Sequence, residues 1–336
     1  MSPGSTQPEP PRLKGYPPIT RCRFFFEARD PVRLPPYSGS AWRGLLGHGL
    51  RRAVCMTRDT DCRDCLLADD CAYAFLFESP ARSERAKRRS DHIPPPYILH
   101  LQRQGQRTFA AGDILTLEIR LVGRANHHLP YLIHAFDLAG QRGIGRDHAR
   151  FQVERVEAAA AGSGPWTTAY ADGRMQGPVL RDGPLLFPEA STVTRITLST
   201  PLRIKRLGRL ITPATFHIEH FFTALARRIA EMGEHYGDNG QAIHWPDLLG
   251  DRPLPEPLET ELRWWDWTRY SSRQKRPMQL GGLIGSLTFA PGALAPWADL
   301  LWLGQWLHLG KIPSMGLGAY HLHGNVAVTA DPVRRP

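Results

Sequence analysis

His48 stands with Arg51 and Arg52 three and four residues on, and with Gly44 four residues back. At about 100° per residue these positions share one side of a helix. A neutral imidazole can take a proton and return it near pH 7. Neighbouring arginines disfavour the charged ring and can stabilise negative charge on a phosphate. The missing side chain at Gly44 leaves room for a bulky partner. The set suits acid–base chemistry on a phosphate, and it also fits an ordinary exposed helix face. Directly after it come Cys55, Cys62, Cys65 and Cys71, spaced C-x6-C-x2-C-x5-C. The C-x2-C step is a frequent zinc-knuckle element, and four thiolates make a closed tetrahedral site. An iron–sulfur cluster uses the same ligands, and the cysteines also fit free thiols or two disulfides. A closed four-thiolate site has no open position for a reacting water. Structural zinc is therefore the expected cofactor, folding a polar loop and holding the end of the His48 helix, with none expected for catalysis.

The elements around these residues follow from hydrophobic spacing. Trp42, Leu45, Leu46, Leu50 and Ala53 recur at helical intervals, and Ser40 is the expected N-cap. A strand is expected just before, over ITRCRFFFEA at 19–28. YAFLFES at 73–79 is a further short apolar run. Strands are expected at 97–101 and 114–123, the second alternating Leu115, Leu117, Ile119 and Leu121 with Thr116, Glu118 and Arg120 in a half-buried pattern. A helix at 128–140 leads through Gly143 and Gly145 into a strand from about Arg150. The second half repeats the order: a strand at 192–208, a long helix at about 214–236, strands at 261–272 and 278–289, and a helix at 295–309. It then passes through Gly310, Lys311, Gly316 and Gly318 into a final strand. This is a βαββαβ order used twice. The expected fold class is α+β, two tandem ferredoxin-like (RRM-like) domains. Residues 1–17 read as a disordered lead-in, 18–185 as the first domain and 190–330 as the second. The first carries the cysteine insertion at 55–71 and a basic arm at 81–96.

The chain has 336 residues, 42% of them hydrophobic, and a net charge of +10. That length and apolar content support two real cores. The charge favours a polyanionic partner, nucleic acid before membrane. No apolar run approaches the roughly 18 to 20 residues that span a bilayer, and the N-terminus lacks the apolar core of a signal peptide. Four of five cysteines crowd into one segment, unlike a secreted disulfide framework. A soluble, cytoplasmic protein is expected. The basic residues gather in Arg82, Arg85, Lys87, Arg88 and Arg89, in Arg203, Lys205, Arg206 and Arg209, and in Arg273, Lys275 and Arg276. These, with Lys311 and the backbone amides of Gly316 and Gly318, are the expected phosphate contacts. His217 and His220, three residues apart, could share a metal but lack a ligand set around them, so packing or surface roles suit them better.

With the repeat and the C-terminal blocks RYSSRQKRPMQLGGLIGSLTF and LLWLGQWLHLGKIPSMGLGAYHL in view, the sequence resembles the CRISPR precursor-RNA endoribonucleases of the RAMP superfamily, the Cas6 family, over about residues 18–328. The histidine on the first helix matches as well. The resemblance implies binding of CRISPR repeat RNA and a single metal-independent cut that matures guide RNA. It implies attack by a 2′-hydroxyl, leaving a 2′,3′-cyclic phosphate and a 5′-hydroxyl. It places the catalytic group on His48, on Tyr37 at the helix entrance, and on Arg52 or Arg51. A non-catalytic RNA-binding RAMP subunit of a CRISPR effector complex is the alternative.

Overall fold

Strand β1, Ile19–Ala28, alternates from Thr20 onward. Cys22, Phe24 and Phe26 are buried on one face, while Arg21, Arg23, Phe25 and Glu27 are only half-buried on the other. The period of two in a strand sets this division. A computed structural model describes residues 13, 15–58, 61–62, 64–79, 93–101, 108–162, 165–177, 185, 187, 190–237, 243–271, 276–324 and 326–327. The described chain divides into two units. One holds Ile19–Ala159 and Trp166–Arg181; the other holds Ala160–Pro165, Asp182–Pro336 and the N-terminal Met1–Pro18.

The first unit runs β1, helix α1 (Gly39–Val54), β2 (Tyr97–His100), β3 (Ile114–Val122), α2 (Leu129–Gly140), β4 (Phe151–Ala160), β5 (Thr167–Ala171) and β6 (Arg174–Met175). Its sheet order is β2-β3-β1-β4-β5-β6. β1 and β3 pair antiparallel with Phe24 opposite Leu117 and Cys22 opposite Ile119. Phe26 anchors the core. Its ring lies 5.1 Å from Trp42 of α1, 5.3 Å from Phe136 of α2 and 5.2 Å from Phe151 of β4. One side chain thus ties the sheet to both helices.

The second unit runs β7 (Arg195–Leu202), the short hairpin β8 (Lys205–Arg206) and β9 (Arg209–Leu210), α3 (Ile218–Tyr236), and β10 (Glu259–Trp265). After these come the hairpin β11 (Thr268–Ser271) and β12 (Arg276–Gln279), then β13 (Gly282–Thr288), α4 (Ala298–Leu307) and β14 (Tyr320–His323). Its sheet order is β10-β13-β7-β14. Number the four principal strands of each unit by chain position, and both sheets read second, third, first, fourth. The core is again aromatic: Phe222 packs on Trp297 at 4.8 Å and Phe221 on Tyr320 at 5.5 Å. Buried Arg228 on α3 donates from Nε and Nη2 to the carbonyl of Leu307 at 3.2 Å each. A cation there satisfies an end-of-helix carbonyl and suits the negative end of α4.

Several expectations need correction. Residues 1–17 are not all a lead-in: Leu13 and Tyr16 are buried, and the Tyr16 hydroxyl donates to the Ile229 carbonyl at 3.1 Å. The boundary at 185–190 is interleaved, because 160–165 join the second unit and 166–181 return to the first. The cap of α1 is Ser38, two residues before Ser40. β3 is not half-buried over its second half, since Glu118 and Arg120 are buried with the apolar residues.

Two glycines of α1 decide how it packs. A Cβ on Gly47 would strike the Phe77 ring, and one on Gly49 would strike the Ala135 carbonyl of α2. Around Gly44 nothing lies within 4 Å. Alanine gains about 0.8 to 1 kcal/mol over glycine in a helix, while overpacking against fixed backbone costs about 1 to 3 kcal/mol. Gly44→Ala is expected to raise the denaturant midpoint and Gly49→Ala to lower it; equal shifts of one sign would contradict this packing.

Candidate active site and nucleic-acid interface

Helical geometry places the residues of α1 before any chemistry is considered. Gly47 and Gly49 are each turned about 100° from His48, in opposite senses, and both are packed. His48 therefore points outward, and it is exposed. Arg52, one turn on, is exposed beside it, and open space surrounds Gly44 one turn back. Gly44, His48 and Arg52 form a continuous open strip on the helix.

Two of the expected partners lie elsewhere. Tyr37 precedes the helix and is buried at 5% exposure. Eleven residues at about 1.5 Å each put it some 16 Å from His48 along the axis. Tyr37 is buried where His48 is exposed. Arg51 is turned to the cysteine segment: its guanidinium hydrogen-bonds to Cys55 and lies 5.8 Å from the Tyr73 ring centroid. Arg43, which carried no sequence signal, lies over Phe77 at 4.2 Å.

Cys55, Cys62, Cys65 and Cys71 line one cavity of about 220 Å³, together with Val54, Asp61 and Tyr73. All four are free thiols. Burial pushes the Cys62 thiol up to about 11, with Glu78 and Cys71 adding to the rise and Arg51 opposing it. Among the described residues, no three His, Cys, Asp or Glu side chains converge closely enough to hold a metal ion. The donor types suit zinc, but in this arrangement the sulfurs share a cavity without forming a ligand set.

The expected phosphate contacts divide sharply. Lys205, Arg206, Arg209 and Lys311 are exposed. Arg203 is not available in the same way, because its Nη1 donates to the Gly281 carbonyl. The glycine loop is a correction. Gly316 and Gly318 are buried, and their amides donate to the carbonyls of Pro313 and Pro201, at 2.8 and 3.1 Å. Thr200 Oγ1 donates to the Gly316 carbonyl and accepts from the Ala319 amide, both at 2.8 Å. The loop fastens the last strand to β7 and offers those amides to no ligand. Both glycines have positive φ, 86° and 77°, which is why glycine is needed there. Arg82, Arg85, Lys87, Arg88, Arg89, Arg273 and Lys275 lie outside the described residues, as does the side chain of Arg276.

The polar face of β1 holds groups that sequence inspection missed. Arg21 and Arg23 sit 4.5 and 4.0 Å from the Trp166 ring, and Arg155 sits 3.6 Å from Phe25. Glu118 accepts from Arg21 Nη2 and Arg120 Nε at 3.0 Å each. Trp166 carries no pattern signal because it enters from a loop-rich stretch. Only the pairing of β1 with β3 reveals that Arg21 and Arg23 flank Glu118.

Comparison with known proteins follows this geometry. Residues 196–320 match the family model of the CRISPR-associated endoribonuclease Cas6, and residues 16–180 match an AF_1859-type N-terminal domain. An uncharacterized protein of Archaeoglobus fulgidus is 28% identical over 142 residues, covering 42% of this chain and 46% of that protein. Among solved structures, a partial Cas6-RT-Cas1–Cas2 complex aligns with 96% of this chain and 49% of its own, at 12% identity and a TM-score of 0.53. Thermus thermophilus Cas6 aligns with 91% of this chain and 98% of its own, at 12% identity and a TM-score of 0.45. The matched portions span about half of the archaeal relative and of the complex chain. The two α+β units share one strand order, and the chain has the fold of the Cas6 portion of that complex. Within the chain, residues 196–320 are thus similar to the Cas6 endoribonucleases. Among the described residues no helix is long and apolar enough to cross a membrane.

The buried charges of β3 give a pH signature. Burial alone would push Glu118 up, but the Arg120 charge and the Arg21 hydrogen bond outweigh it and hold the carboxyl at about 2. A depressed carboxylate contributes stability that is whole above its unfolded value of about 4.3 and is lost as pH falls toward 2. Denaturation measured across that window is expected to show the loss, and Glu118→Gln is expected to flatten it. An unchanged slope would remove Glu118 as its source.

Proposed function

We propose that this chain is an endonuclease that binds CRISPR repeat RNA and cuts it to mature guide RNA, using two ferredoxin-like units in tandem. The observation that carries the reading is the open strip of Gly44, His48 and Arg52 on a helix of a chain whose residues 196–320 match the Cas6 family model. The identical strand order of the two sheets supports the tandem reading. In the proposed reaction a 2′-oxygen attacks the adjacent phosphorus and the bond to the 5′-oxygen breaks. The products are a 2′,3′-cyclic phosphate and a 5′-hydroxyl, so one proton must leave the 2′-oxygen and one must reach the 5′-oxygen. His48 serves as the group that takes or gives it, and Arg52 stabilises the charge gathering on the phosphate. No metal is required by these steps. Lys205, Arg206, Arg209 and Lys311 hold the RNA backbone by charge, with affinity falling as salt rises.

The alternative is a RAMP subunit that holds RNA in a CRISPR effector complex without cutting it. One observation favours it: Tyr37 and Arg51 are both engaged away from His48. Incubation of purified protein with repeat RNA in a chelator separates the two. His48→Ala is expected to lose about 10² to 10⁴ in single-turnover cleavage with binding retained, while Tyr37→Phe keeps the wild-type rate. Full cleavage by His48→Ala would reject the assignment.

We also propose that Cys55, Cys62, Cys65 and Cys71 close on one structural zinc ion. Their shared cavity supports this; such an ion would add folding energy where the local chain has little apolar core. Metal analysis is expected to give about one zinc per chain. A ratio near zero with four freely titratable thiols would end the proposal.

A further inference from the structure

His220 has donors at both ring nitrogens. The backbone N–H of His217 donates to Nδ1 at 3.0 Å, within the first turn of α3. On the other side, Nε2 lies 3.3 Å from Nη1 of Arg206, on the β8–β9 hairpin. A guanidinium has no acceptor, and a neutral imidazole has one lone pair and one N–H. With the Nδ1 lone pair committed to His217, the proton of the neutral ring belongs on Nε2. It then faces the donors of Arg206. Burial, the Arg206 charge and His217 all hold the ring toward its neutral form, with Glu219 opposing them weakly. Protonating the ring would add a donor and resolve nothing. The His220 side chain is 7% exposed, while the Arg206 it faces is exposed, so an acceptor can approach the pair from the Arg206 side.

Two converging donors with no acceptor between them describe a receptor for an anion. We propose that Nε2–H of His220 and the guanidinium of Arg206 form a phosphate subsite, in which one phosphate oxygen accepts from both. Exposed His217 lies beside His220, its ring 5.6 Å away, exposed Arg209 is the strand partner of Arg206, and α3, 19 residues long, presents its positive end there. A phosphodiester of RNA supplies the oxygen. The inference extends the RNA-cleaving reading by naming a backbone contact in the second unit, yet it can be tested without RNA.

Long-range proton–nitrogen spectra of the full chain, titrated with inorganic phosphate, report on His220 directly. The expected ring is neutral and protonated on Nε2, with a resonance that moves saturably and stays still in Arg206→Gln. A ring protonated on Nδ1, or a resonance unmoved by phosphate, would overturn the subsite. His220→Asn keeps an amide oxygen where Nδ1 stood, and so keeps the contact to His217 while removing the Nε2–H. Its thermal midpoint is expected to hold, while the salt slope of repeat-RNA affinity falls by about 1. Arg206→Gln, at an exposed position, is expected to lower the slope equally, and an unaltered slope in that variant would count against the proposal. Phosphate binding at His220 in a protein that cuts no RNA would leave the subsite standing and remove the cleavage reading. Cleavage with an inert His220 would do the reverse.

Discussion

The tight seating of α1 governs the candidate active site. Two glycines, one on each side of His48, let the helix backbone meet the Phe77 ring and the Ala135 carbonyl without a side chain between. Residues flanking a given position are turned away from it by about 100° in either sense. If both are packed, the residue between them has only solvent to face. His48 is thus aimed by its neighbours rather than by any bond of its own. The Phe26 cluster completes the constraint by locking Trp42, and with it the start of the helix, to the sheet. Catalytic orientation here would be a by-product of core packing, which is also what makes it rigid.

The second unit uses its polar groups mainly as fasteners. Arg228 ends α4 through the Leu307 carbonyl, and Thr200 joins the glycine loop to the last strand. Glycines at positive φ let the loop lie close to β7, and their amides are consumed in doing so. At the start of α3, Nε2 of His220 and Nη1 of Arg206 lie 3.3 Å apart. The glycine loop spends its amides within the protein, contrary to the role that composition alone would assign it. The first unit makes a parallel point on β3, where Glu118 and Arg120 are buried because each answers the other's charge.

Much of the architecture is legible in residue spacing. The helical stripe from Trp42 to Ala53 and the phenylalanines of β1 locate the first strand and helix within a residue or two, because one buried face imposes one period. The repeat is legible for the same reason. Functional assignment is harder, since hydrophobic period says which face is buried and not what a polar side chain touches. Arg51 and Arg52 are adjacent and alike in type, yet one turns to Cys55 and the other to solvent. Gly316 and Gly318 look like a phosphate cradle until their amides are followed to Pro313 and Pro201. Trp166 and His220 were missed as functional residues because their partners come from distant strands or a separate hairpin.

The bond from Tyr16 to Ile229 spans 213 residues of chain, and this bears on the order of events on the ribosome. The first unit is complete once Arg181 has emerged. The second takes Tyr16 from ahead of the first unit and the rest of its residues from 160–165 and from beyond Arg181. Tyr16 must wait, its hydroxyl and ring uncovered, while an entire unit is synthesised and folded downstream of it. Translation runs in one direction, but Tyr16 finds its partner only after a whole intervening unit has been made.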